Sequence, residues 1–231
     1  GETFFAAAAA AYAQWLEQSR LGTIGGVMVV GIENKDNRTR DLTPSASAAG
    51  RQGRLDPSAS PQGGGAGRFL DFITGELRQT VEAQLPDGMR ILRRTLIGHS
   101  FGGLFTVNAV LTQPHAFDDF IAADPSFWWD QRRLIQKAAA DGLGDKAAAG
   151  SGRRLYLGFA TKPRKDRTAS AERPAAGARL SADPLVSGFI GKLQSQGLQV
   201  RRQDFPDEVH GTVMFPALFD ALKHFYTREL S

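Results

Sequence analysis

Apolar positions along this chain follow two different rhythms. Phe69, Leu70, Phe72, Ile73, Leu77, Val81 and Leu85 recur at helical spacing, which predicts an amphipathic helix over 69–85 with these residues near one face. Val27-Met-Val-Val-Gly-Ile32 is instead a continuous apolar run, predicted to be a strand buried on both faces, as in a parallel sheet. Shorter apolar runs at 94–97, 120–123 and 155–159, together with 199–205, are also predicted to be strands. Helices are expected over 3–19, 103–111, 132–140, 184–196 and 213–228. Strands therefore alternate with helices, and the predicted fold is α/β, a mostly parallel central sheet with helices on both faces.

Two stretches interrupt the alternation. Residues 45–67 are rich in Ser, Ala, Gly and Pro and include Gly63-Gly64-Gly65, which predicts a flexible insertion with no core of its own inside a single domain spanning 1–231. The chain opens on Gly1-Glu2-Thr3-Phe4-Phe5 and passes directly into a helix. A sheet of this class normally opens with strands, so strands upstream of Gly1 are expected to be missing.

Composition narrows the function classes. A chain of 231 residues with 42% hydrophobic residues and 15 Phe can bury a sizeable core. The formal charge of +4 comes with arginines spread along the chain, a weak preference for anionic partners rather than a nucleic-acid footprint. The absence of cysteine excludes disulfides and thiolate metal sites and fits cytoplasm and periplasm equally. No apolar run approaches the ~18 residues of a membrane-spanning helix.

The candidate chemistry centres on Gly98-His99-Ser100-Phe101-Gly102, a Gly-x-Ser-x-Gly pentapeptide between a predicted strand and a predicted helix. That order is what a nucleophile elbow requires. Ser100 would occupy a backbone conformation that most residues avoid. Gly98 and Gly102 would let strand and helix approach closely, and the Phe101 N–H would face a developing oxyanion. A serine hydroxyl needs a base, and there are four histidines. His99 lies inside the elbow with its side chain pointing away from Ser100. His115 follows the nucleophile helix, and His224 lies within the last helix. His210, in the loop Pro206-Asp-Glu-Val-His-Gly211 after the last strand, matches the chain order serine, acid, histidine. For the acid, the loop after Phe159 is the usual place and favours Asp166. Glu172, Asp124 and Glu208 are alternatives, as is a Ser-His dyad with no acid. The second oxyanion N–H is assigned to the loop at Gly1 or Glu2.

These residues resemble a known family. Arg38-Thr-Arg-Asp-Leu-Thr-Pro44, Ile97-Gly-His-Ser-Phe-Gly-Gly-Leu104, Asp124-Pro-Ser-Phe-Trp-Trp129 and Asp207-Glu-Val-His-Gly211 look like the esterase D-like group of α/β hydrolases, which includes siderophore trilactone esterases. The resemblance implies an eight-stranded-type hydrolase sheet, Ser100 as nucleophile, His210 as base, Phe101 N–H as oxyanion donor and hydrolysis of a carboxylic ester. The chain departs from the family in having Asp124-Pro-Ser where Ser-Pro-Ser is common, and in lacking an acidic residue close after Phe159.

Four further residues are candidates for substrate binding. Trp128 and Trp129 follow a strand at the carboxyl side of the sheet, where ligand sites of open α/β folds lie. They could form an aromatic wall, or they could anchor the loop in the core. Arg38 and Arg40 could recognise anionic or catecholate groups, or one of them could pair with Asp41. The expected function is a serine esterase for a small-molecule ester, siderophore-type or general, with no cofactor and no metal. An acyltransferase of the same fold and a catalytically silent binding protein are the alternatives.

Overall fold

The computed structural model describes residues 8–14, 18, 26–34, 36–48, 56–144, 152–165, 172–173 and 182–227. Residues 8–14 are helical. A short helix α1 (Arg38–Leu42) is followed by α2 (Ala66–Phe72), a π-helical segment (Ile73–Leu77) and α3 (Arg78–Glu82), which together form one helical stretch. Then come β1 (Thr95–His99), α4 (Phe101–Thr112), β2 (Asp119–Ala123), α5 (Arg133–Asp141), β3 (Arg154–Ala160), α6 (Pro184–Ser195), β4 (Gln199–Phe205) and α7 (Met214–Tyr226). The four strands lie in chain order and every pairing is parallel.

Parallel strands need crossovers, and α4, α5 and α6 supply them. Side chains of successive strand residues point to opposite faces, so β2 and β3 divide their apolar residues between two cores. Phe120, Ala122, Leu155, Leu157 and Phe159 pack with α2, α4, α5 and α6. Ile121, Ala123, Tyr156 and Ala160 pack with α7 and Ala9. All five residues of β2 are buried, so this strand reads as an unbroken apolar run apart from its first residue.

Two expectations change. The predicted strand over 27–32 is absent. Residues 26–34 form no ladder, and Val27, Met28, Val29 and Val30 are 36–53% exposed. A strand exists only where a neighbour takes up its N–H and C=O groups, and no described strand pairs with this segment; only Ile32 packs against the core. The 45–67 insertion is tied at both ends. Ala46–Ser47 pairs antiparallel with Gln62–Gly63, and Trp129 Nε1–H donates to the Ser45 carbonyl at 2.9 Å. Residues 49–55, at its centre, lie outside the described residues.

The first residue of β2 is a fully buried carboxylate. Asp119 accepts from Arg154 Nε and Nη2 at 2.6 and 2.8 Å, from Arg93 Nε and Nη2 at 2.8 Å each, and from the Tyr226 hydroxyl at 2.6 Å. Burial alone would raise the pKa of Asp119, but the hydrogen bonds from Arg154, Arg93 and Tyr226 outweigh it and hold it below the ordinary value. Because the folded value lies below the unfolded one, the stabilisation is present above pH ~4 and is lost as pH falls through the folded value. Asp119→Asn removes the charge and leaves two guanidinium groups facing each other. The expected cost is about 3–5 kcal/mol, measured by urea unfolding at pH 7. The difference from wild type should shrink as pH drops below ~4.

Candidate active site

β1 delivers the chain into the elbow and α4 takes it away. Ser100 sits between them at φ 61°, ψ −118°, a left-handed conformation that costs on the order of 1–3 kcal/mol and persists only where the surroundings enforce it. They do so through the backbone. Ser100 N–H donates to the Ala123 carbonyl at 3.1 Å, while the Ser100 carbonyl accepts from Leu104 at 3.0 Å and Ser126 at 3.1 Å. A Cβ at Gly98 would overlap the Gly102 carbonyl and lie 2.8 Å from Thr106 Oγ1, so the tight turn requires glycine there. Gly102 has open space around its Cβ position. The second close approach falls at Gly103, whose Cβ would lie 3.1 Å from the Ala123 carbonyl and from Pro125 Cα. Phe101 opens α4, and its N–H is among the first-turn donors that a helix leaves unmatched.

His210 lies in the loop between β4 and α7, with its side chain 52% exposed. Its Nε2 is 3.1 Å from Ser100 Oγ, and its Nδ1 is 2.6 Å from Asp124 Oδ2. Ser100 and His210, expected to meet, are therefore in hydrogen-bond contact. Among the described residues the carboxylate on His210 is that of Asp124, one of the alternatives to the favoured Asp166. Asp166 and the side chain of Glu172 lie outside the described residues. Glu208 uses its carbonyl to accept from Lys162 N–H at 3.1 Å; among the described residues its carboxylate makes no bond to His210.

The register explains why Asp124 is the one that arrives. Ala123 pairs with His99, so the residue after β2 emerges beside the residue after β1. β3 contributes the groups that hold the acid. Asp124 N–H donates to the Gly158 carbonyl at 2.7 Å, and Asp124 Oδ1 accepts from Ala160 N–H at 3.2 Å. Asp124 is 5% exposed and has φ +42°. It is a second strained residue at the same end of the sheet.

Ser126, which the sequence reading passed over, is buried with its Oγ 3.3 Å from Ser100 Oγ. The signal was available in Asp124-Pro-Ser126, a polar tripeptide at the end of a buried strand. His99 reaches the His210 loop: its Nε2 lies 2.7 Å from the His210 carbonyl.

The expected binding residues divide. Arg40 Nε and Nη2 bond Asp41 at 2.6 and 3.1 Å, and this contact, foremost, holds Asp41 below the usual carboxylate range. Arg40 is thus committed to its neighbour on the same short helix, α1. Arg38 lies with its guanidinium carbon 5.1 Å from the centre of the Phe101 ring, with no carboxylate partner among the described residues. Phe101 also meets Trp128 and Trp129, with ring centres 5.6 and 5.2 Å apart. Trp129 is buried, and its Nε1–H serves the Ser45 carbonyl, so it anchors the loop. Trp128 keeps exposed surface. Gly1, the suggested second oxyanion donor, lies outside the described residues. No group of His, Asp and Glu side chains that could hold a metal occurs among the described residues, and no helix there is long and apolar enough to cross a membrane.

A family model described as Putative esterase matches residues 3–181. The chain belongs to that family. The matched span covers the elbow and Asp124 and ends before His210. The esterase is 32% identical over 217 residues to a siderophore enterobactin esterase of Emericella nidulans, covering 87% of this chain and 70% of the relative. It is 34% identical over 137 residues to a siderophore triacetylfusarinine C esterase of Aspergillus fumigatus, covering 55% of this chain and 43% of that one. Among solved structures it resembles an IroE-like serine hydrolase from Shewanella oneidensis, with TM-score 0.69 and 30% identity over 95% of this chain and 66% of that protein. It is an esterase by family and an α/β hydrolase by fold. The eight-stranded sheet implied by the resemblance is represented among the described residues by four parallel strands.

Proposed function

We propose that this protein hydrolyses siderophore-type carboxylic esters through an acyl-enzyme on Ser100, with His210 as base and Asp124 as the acid that orients it. The single observation that carries the reading is His210 bridging Ser100 Oγ and Asp124 Oδ2 through its two ring nitrogens, at 3.1 and 2.6 Å. Asp124 accepts the Nδ1 hydrogen, which leaves the lone pair on Nε2 toward Ser100. As Ser100 Oγ attacks the ester carbonyl, its proton passes to Nε2. Asp124 stabilises the imidazolium, and the Phe101 N–H donates to the oxyanion. Collapse expels the alcohol, which takes the proton from Nε2. Water then enters by the same route, with His210 as its base, and releases the acid and Ser100.

The substrate class is supported from two sides. The relatives carry the names of siderophore esterases. Arg38, over the Phe101 ring beside the elbow and with no carboxylate partner among the described residues, provides a cation for an electron-rich or anionic acyl group. The test pairs labelling with a substrate panel. A fluorophosphonate should add its mass to Ser100, and a catecholate trilactone should be cleaved with higher kcat/KM than p-nitrophenyl acetate. Arg38→Ala should raise KM for the trilactone about tenfold, the loss of one favourable cation contact, and leave KM for p-nitrophenyl acetate unchanged. Labelling without preference for the trilactone would make the protein a general carboxylesterase, and failure to label Ser100 would refute the mechanism.

A further inference from the structure

His99, the last residue of β1, sits one position before the elbow serine. Its Nε2 lies 2.7 Å from the main-chain carbonyl of His210, and the two imidazole rings are 4.6 Å apart at 36°. A carbonyl only accepts, so Nε2 carries the hydrogen and donates it. Among the described residues this is the one hydrogen bond made by the main chain of His210. The bonds from the ring to Ser100 and Asp124 set where the ring points. The loop is tied next to it, where the Glu208 carbonyl accepts from Lys162 and the Val209 carbonyl from Thr212 and Val213, but at His210 itself the main chain is held by His99. Burial, with the neighbouring His210 adding to it, holds the pKa of His99 below the ordinary histidine value. A neutral His99 can donate to the carbonyl without placing a second positive charge against the imidazolium formed in each half-reaction.

We infer that His99 is a positioning residue for the base: its Nε2–H pins the His210 carbonyl to the end of the nucleophile strand, so that the elbow and the base loop keep one fixed spacing. The inference rests on the reading of Ser100 and His210 as nucleophile and base. Misplacement of a reacting group by about an ångström is enough to cost on the order of 10²-fold in rate, and a half-exposed loop with a free carbonyl allows such a displacement.

The experiment compares the full chain carrying His99→Ala, His99→Gln and His99→Asn. Glutamine places its amide nitrogen the same number of bonds from Cβ as imidazole Nε2, whereas asparagine falls one bond short. His99→Ala should lower kcat for p-nitrophenyl acetate by about 10- to 100-fold with KM nearly unchanged. His99→Gln should recover most of the loss, and His99→Asn should not. Equal rates for the glutamine and asparagine variants, or an alanine variant within about twofold of wild type, would overturn the inference. The comparison of glutamine with asparagine decides the matter even if the alanine variant fails to fold. Fluorophosphonate labelling of the wild type separates the two levels. An unlabelled Ser100 refutes the proposed mechanism itself, whereas a labelled Ser100 with indifferent His99 variants refutes only the positioning role.

Discussion

Ser100→Ala is expected to lower kcat for p-nitrophenyl acetate by about 10⁶-fold, because nucleophile and base act as a unit and neither substitutes for the other. The fold should survive the change. The turn is held by main-chain bonds to Ala123, Leu104 and Ser126, none of which uses the Ser100 side chain. Alanine meets the same strain at φ 61° that serine already bears. The variant should therefore melt within a few degrees of wild type while losing both the burst of p-nitrophenol and fluorophosphonate labelling. Intact-mass analysis and a thermal melt on the same preparation check this. Retained turnover would place the nucleophile elsewhere.

Asp124→Asn should cost about 10⁴-fold in kcat, and the reason is a matter of tautomers. Asp124 Oδ1 accepts from the Ala160 N–H and Oδ2 faces His210 Nδ1. Asparagine keeps its oxygen on Ala160 and must turn its NH₂ toward Nδ1. His210 then becomes the acceptor at Nδ1 and carries its hydrogen on Nε2, where it can no longer take the proton of Ser100. Asp166→Asn should leave kcat within about twofold of wild type, the range of a substitution away from the reacting groups. Steady-state rates of the two variants decide between the carboxylates, and a large loss in Asp166→Asn alone would return the role to the loop after β3. Equal, small losses would mean that Ser100 and His210 work as a dyad.

The parts of the site visible in the sequence are those that local chemistry dictates. Gly98, Ser100 and the following helix form a contiguous signature because the turn cannot be built otherwise, and His210 follows from chain order. Asp124 was among the alternatives but not favoured, because its approach to His210 depends on the register of β2 against β1, which no local pattern encodes. The same holds for Val27–Val30. An apolar run states only that a strand is compatible, and whether it becomes one depends on a neighbour. Gly102 shows the converse. Its place in the motif suggested a steric need, yet its Cβ position is open and the close contact belongs to Gly103. Arg38 and Arg40 share one short helix and one chemistry, and only the fold distinguishes the arginine tied to Asp41 from the one stacked on Phe101.

β2 begins with one carboxylate, Asp119, locked between two guanidinium groups, and Asp124 follows its last residue against the base. The strand thus works as a ruler clamped at its lower end, which sets the height at which the acid protrudes. A slip of one residue would turn every side chain to the opposite face, pulling Asp119 out of its arginine clamp and Asp124 away from His210 together. On the proposed mechanism, a mispaired sheet of this kind would lose its stability and its activity together.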